Sequence, residues 1–236
     1  PLLAALASLG ALGMLAACGT SAPPPGALPP QASPDWPAGE PARGDGRLYR
    51  IAAADSVVRI HVYRAGRAAR LGHNHVLTLP RLRGWVWLPD EGLDDAGFGL
   101  DFRLDEMALD LPEQRAALGP GWASAVSPEA VAATRANMLG EGNLQAGRYP
   151  LARLRSLQLR GELPQLVAEL EIELHGQRRR QWLALRVEPD GPRLRARGAF
   201  VLRQSEFGIA PFSVLGGLLA VGDELSVEFE LVAQRV

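Results

Sequence analysis

Between Leu166 and His175 the chain reads LVAELEIELH. Leu166, Ala168, Leu170, Ile172 and Leu174 fall on one side of an extended chain, and Glu169, Glu171, Glu173 and His175 on the other, because successive strand side chains point to opposite faces. This is a strand with one apolar and one wet face. The pattern recurs in LRARGAFVLR (194–203), where Leu194, Ala196, Gly198, Phe200 and Leu202 oppose Arg195, Arg197 and Arg203. It recurs again in LSVEFEL (225–231), where Leu225, Val227, Phe229 and Leu231 oppose Glu228 and Glu230. Further alternating segments lie at Val57–Arg64, Gly84–Leu88, Phe98–Leu104 and Trp182–Val187, most of them bounded by Gly, Pro or Asp. Strands with polar backs need a shared apolar interior, which a closed barrel or a sandwich supplies. Closure also removes exposed sheet edges, which favours the barrel.

One inserted helix interrupts the strands. Ser127 is a good N-cap, Pro128 suits the first helical position, Glu129 complements the dipole, and EAVAATRANML runs on to a terminating Gly140. Upstream, residues 20–46 are dense in Pro, Gly, Ala and Ser without periodicity and read as a tether. The run PLLAALASLGALGMLAAC from Pro1 to Cys18 is uncharged and apolar, shorter than the roughly 20 residues of a comfortable membrane span. It fits a signal-peptide core whose opening lies upstream of Pro1. Leu15-Ala16-Ala17-Cys18 resembles the bacterial lipobox, which makes Cys18 the expected lipidated residue. Gly19 behind it points to the outer membrane. The expected organisation is a signal peptide over 1–17, a lipidated Cys and Pro-rich tether over 18–46, and a β-barrel domain over 47–236.

Composition excludes several functions. A net charge of -1 with scattered charges offers no broad attraction for nucleic acid. All 25 basic residues are Arg, so Schiff-base lysine chemistry and a Walker-type phosphate lysine are absent. The single Cys permits neither an internal disulfide nor a CxxC metal site. There is no GxSxG elbow, and Ser205-Glu206 has no adjacent His. No catalytic set and no cofactor are expected. Arg178–Arg180 reads as a solvated hairpin turn.

His73 and His75 lie two apart in GHNHV, on one side of an extended chain. A hairpin centred on Gly66-Arg67 places His61 directly opposite His73. With Asn74 and Arg203, the three histidines form a candidate polar rim. A metal or haem-linked redox role for His61, His73 and His75 stays open beside it, since imidazoles at this spacing suit Zn, Cu or Ni.

Three segments in order resemble the YceI-like family. They are NLQAGRYPLARLRS with Tyr149, Pro150 and Ser156, the strand ending in His175-Gly176, and GAFVLRQSEFGI with Arg203, Phe207, Gly208 and Ile209. The resemblance spans roughly Leu48 to Val232, and DSVVRIHVYRAGRAARLGHNHVLTLPRLRGWVWLP departs from the family's usual opening. It implies an antiparallel, up-and-down, lipocalin-like β-barrel that holds an isoprenoid chain, such as a quinone tail or polyprenyl lipid, without catalysis. The expected lining is Phe98, Leu100, Phe102, Leu170, Ile172, Phe200 and Phe229, with Phe207 and Phe212 in an apolar lid or portal. The expected partners are an isoprenoid or other long-chain lipid and, through Cys18, the periplasmic side of the membrane. A homodimer is compatible with the sequence, and so is a structural scaffold with a filled barrel.

Overall fold

The computed structural model describes residues 45–236. The expected signal peptide, Cys18 and most of the expected tether therefore lie outside the described residues. Twelve strands follow: β1 (Gly46–Ile51), β2 (Val57–Ala65), β3 (His75–Thr78), β4 (Arg83–Pro89), β5 (Gly97–Arg103), β6 (Ala108–Leu109), β7 (Leu151–Glu162), β8 (Gln165–Leu174), β9 (Gln177–Asp190), β10 (Arg193–Arg203), β11 (Ser213–Val214) and β12 (Leu219–Arg235). Two helices, α1 (Pro112–Ala117) and α2 (Pro128–Leu139), sit between β6 and β7.

Twelve strands make only eight staves. Along one edge of β12, Ala220–Glu230 pairs with β2 and Ala233–Arg235 pairs with β1, so β1 and β2 form one stave interrupted at residues 52–56. β3 with β4 and β5 with β6 are broken in the same way, because β2 pairs β3 while β1 pairs β4, and β3 pairs β6 while β4 pairs β5. From there β5–β7–β8–β9–β10–β12 run as antiparallel neighbours, and β12 returns to β1. The barrel is closed, up-and-down and eight-stranded. Each stave neighbours the next in sequence.

Alternation accounts for both faces. Inside stand Leu170, Ile172 and Leu174 of β8, Leu183, Leu185 and Val187 of β9, and Val227, Phe229 and Leu231 of β12. Outside, cross-strand pairs join Arg153 to Glu173 at 3.1 Å, Arg155 to Glu171, and Arg195 and Arg197 to Glu230 at 2.7 and 3.0 Å. The Arg195 and Arg197 pairs are solvent-exposed and contribute little, whereas Arg153 is buried beside its partner. The interior carries the stability.

The inserted helix is α2, as expected, preceded by the short six-residue α1 opened by Pro112. Two sequence expectations are corrected. Arg178–Arg180 belongs to β9; the turn is His175-Gly176 alone, both residues at positive φ (52° and 70°), the type I′ geometry that matches strand twist. The 66–74 connection contains a 3-10 turn at Ala69–Leu71 and is no tight hairpin. Its strands pair His61 with Val76 and Val62 with His75, an odd shift that moves His61 and His75 to opposite faces.

Candidate functional site

The two ends of the barrel are built differently. At one end the links are residues 90–96, Leu163-Pro164 and Gly191-Pro192. Tyr49, Leu88 and Leu166 are buried there without lining the cavity, and close the interior. At the other end lie residues 66–74, the 110–150 insertion and the 204–218 connection. Between them runs a slot of about 320 Å³, inside the range usual for small-molecule sites. Phe98, Phe200 and Phe229 point inward yet stay half-buried because they face it. Asn137 of α2 and Phe212 line the slot while exposed, which places its mouth between α2 and the 204–218 connection. The barrel is not filled by its own side chains.

Polarity is confined to the mouth. His75, Thr134, Asn137, Asn143 and Gln204 are the polar residues of the lining; the rest is aliphatic or aromatic apart from sulfur. Phe98, Leu100, Phe102, Leu170, Ile172, Phe200, Phe212 and Phe229 all border the slot. Phe207 does not: it is buried in the core, and its carbonyl accepts a 3.0 Å hydrogen bond from His175 Nδ1.

The expected rim is largely rearranged. Of His61, His73, Asn74, His75 and Arg203, only His75 touches the slot. Arg203 turns outward to Glu224 at 3.3 Å. The other residues seat the insertion on the barrel. His73 Nδ1 meets Ser124 Oγ at 3.1 Å, and Asn74 accepts from the Arg64 N–H at 3.0 Å while its amide donates to Gly121 O. His61, buried on the outer face of β2, packs against Trp122 with ring centroids 5.3 Å apart. Burial, its main influence, holds that imidazole below its usual pKa. Among the described residues, no three His, Cys, Asp or Glu side chains gather where a metal would sit, and the expected three-histidine patch does not form.

His75 is anchored from behind. Its Nδ1 lies 2.6 Å from Asp110 Oδ2, while Asp110 Oδ1 accepts from Arg115 Nη1 at 2.7 Å and from the Val76 N–H at 3.0 Å. Arg115 also donates to the carbonyls of Asn74 and Ser124. Asp110 and Arg115 are both buried, so each neutralises the other where water does not. Burial pushes the Asp110 carboxyl up, but the hydrogen bonds from His75, Val76 and Arg115 outweigh it and leave it below its usual range. Asp110 and Arg115 carry no motif. Only the fold brings them under His75.

The three segments that resemble YceI-like proteins converge on one clasp at the mouth end. The Tyr149 ring meets the His175 ring edge-on at 4.9 Å, and His175 holds Phe207 O. A Cβ on Gly176 would stand 2.6 Å from the Tyr149 ring, so glycine there serves both the turn and the contact. This clasp ties β7, the β8–β9 turn and the end of β10 together, and none of Tyr149, His175 or Phe207 lines the slot.

No family model and no curated protein matches the chain. Among solved structures, Burkholderia cenocepacia BcnA is similar, with a TM-score of 0.57 at 13% identity over 78% of this chain and 99% of that one. A Campylobacter jejuni YceI protein structure matches with a TM-score of 0.47 at 6% identity, over 67% of this chain and 83% of that one. The likeness to BcnA, a YceI-like protein, is one of architecture, and by it the chain has the YceI-like barrel fold.

Proposed function

We propose that the barrel binds a long-chain apolar ligand of isoprenoid type, a quinone tail or a polyprenyl chain, and sequesters or carries it without chemical change. The observation that carries the reading is the continuous apolar slot of about 320 Å³ with all its polar groups at one end. An amphiphile fits that asymmetry, its chain inside and its head at the mouth. Each buried methylene contributes about 0.8 kcal/mol, so affinity rises with chain length until the slot is full. The reading includes Cys18 as an acyl anchor that holds the domain on the periplasmic side of the membrane.

Native mass spectrometry of the purified chain, followed by organic extraction, tests the cargo. A discrete excess mass that extracts as a prenyl lipid supports the reading; a bare mass that stays bare after incubation with prenyl alcohols and quinones sinks it. Phe200→Glu or Ile172→Glu is expected to abolish retention by placing a carboxylate in the slot, and a folded variant that retains ligand would remove these residues from the site. Cys18→Ala is expected to move the chain from the membrane to the soluble fraction.

A further inference from the structure

We infer that the mouth end of the barrel docks on the surface of an anionic lipid bilayer through two loop tips, residues 66–74 and 212–218. Leu71 and Leu215 enter the membrane, and Arg64, Arg67 and Arg70 meet its headgroups. This surface lies outside the slot, and the inference stands on it rather than on the cargo.

The two tips form one lip. At its start β12 pairs Ala220 with Ala65 of β2 on one side and with Ser213 of β11 on the other. The Ala68 N–H donates to Leu218 O at 2.9 Å, and a Cβ on Gly66 would stand 2.5 Å from that oxygen, so the tips touch. Five large apolar side chains stand exposed on the lip: Leu71, Phe212, Val214, Leu215 and Leu218. Leu71 and Leu215 are 73% and 71% exposed, more than any other large apolar residue described except the terminal Val236. A lone exposed leucine is ordinary on a protein surface, but a cluster of apolar side chains marks a contact surface. Phe212 is exposed and also lines the slot, so the lip carries the apolar lining out to the surface.

Charge on the lip has one sign. Arg64, Arg67 and Arg70 are exposed; Arg64 donates to Gly72 O, and none of the three forms an ion pair among the described residues. No Asp or Glu occurs from residue 56 to 89, and no charged residue from 207 to 222. Residues 116–128, which reach His73 and Asn74 through Ser124 and Gly121, are uncharged as well. The carboxylates next along the chain are engaged elsewhere, Glu206 and Glu224 beside Arg203 and Asp223 on Ser205. In a chain of net charge -1 this is a local basic collar around an apolar tip. A bilayer whose phosphates overlie its acyl chains complements both features at once. Under the binding reading above, an apolar chain would then pass between membrane and slot without exposing its methylenes to water.

Cys18 is the single Cys of the chain, so in Cys18→Ala the full chain can be labelled at one chosen position. Leu71→Cys, Leu215→Cys and, at the closed end, Glu91→Cys each receive one nitrobenzoxadiazole fluorophore; all three positions are exposed, so the labels do not disturb the core. The chains are mixed with vesicles of phosphatidylcholine and phosphatidylglycerol. The expected result is a blue shift of both lip labels, with quenching by spin-labelled lipid, and neither response from the label at 91. Reading where the label sits, rather than whether the chain binds, separates docking from any attachment through residues 1–46. In the chain labelled at 215, Arg67→Gln and Arg70→Gln are each expected to weaken the response about fivefold, and raised salt to weaken it further. Lip labels that stay in water on anionic vesicles, three labels that shift alike, or a response indifferent to the two arginines overturn the inference. A blue shift without vesicles that grows with protein concentration also overturns it and assigns the lip to a second copy of the chain. Cargo retention in native mass spectrometry is read without vesicles, so the carrier reading stands or fails separately.

Discussion

The two ends of this barrel solve opposite problems with the same staves. At the closed end two of the three links are two-residue turns, and Tyr49, Leu88 and Leu166 pack the interior. At the mouth end, long connections and the first residue of β3 carry every polar residue that reaches the slot, and buried charge is retained in Asp110 and Arg115. The closed end is built for packing alone. The mouth retains charge whose removal is costly, and the gain is a fixed His75 facing the slot. Loops on a rigid scaffold are where binding groups concentrate, and here one end of the scaffold bears them all.

Asp110→Ala should break the contrast most. It strands the buried Arg115 guanidinium, frees His75 and leaves the Val76 N–H unpaired, so a loss of about 3–5 kcal/mol is expected in urea denaturation. A loss under about 1 kcal/mol would show that the mouth tolerates unpaired charge as a solvated surface does. The same carboxyl gives a pH signature. Its folded pKa lies below its unfolded one, so its contribution is full above the ordinary carboxylate value of about 3.9 and is lost as pH falls through the lower folded value. The stability gap between wild type and Asp110→Asn should therefore be constant at neutral pH and narrow below about pH 4.

At the other end, Leu194→Ala should cost about 2–4 kcal/mol by leaving a cavity at the floor of the slot. Because Leu194 also borders the outer cleft beneath, the variant is expected to bind chains longer than wild type accepts, which a series of prenyl alcohols would reveal. Unchanged length preference would place the floor elsewhere.

The smallest effects test backbone strain at the two ends with opposite signs. Gly191, in the closed-end turn, has φ 58°, and a Cβ added there would meet open space, so Gly191→Ala should cost about 1 kcal/mol from backbone conformation alone. Leu215, in the mouth connection, holds φ 53° without glycine's freedom and is 71% exposed. Leu215→Gly should gain up to about 1 kcal/mol in thermal unfolding. A loss on that change would show that the exposed leucine makes a stabilising contact.

What could be read from residues follows a simple rule. β8, β10 and the Leu225–Leu231 part of β12 announce themselves because an inner apolar face alternates with a largely polar outer one. β7 does not. A bulge between Ser156 and Gln158 shifts its register, so Ala152 and Leu154 face inward on one phase and the alternation slips beyond it. Ser127, Pro128 and Gly140 mark α2 by local chemistry, and Ser127 Oγ accepts from the Ala130 N–H at 3.2 Å. The histidine motif was visible, but its meaning depended on a register set by the 3-10 turn at Ala69–Leu71, and one odd shift put His61 and His75 on opposite faces.

The sequence alone determined the barrel class, the inserted α2 and most of the apolar lining, because face alternation and capping are local properties of neighbouring residues. Tertiary structure decided the rest. It closed β12 onto β1, turned His61 outward and His75 inward, and brought Asp110, Arg115, Asn143 and Gln204 to the mouth from segments far apart in the chain. Which side chains reach the slot depends on register and closure, and both are defined only once the chain has folded.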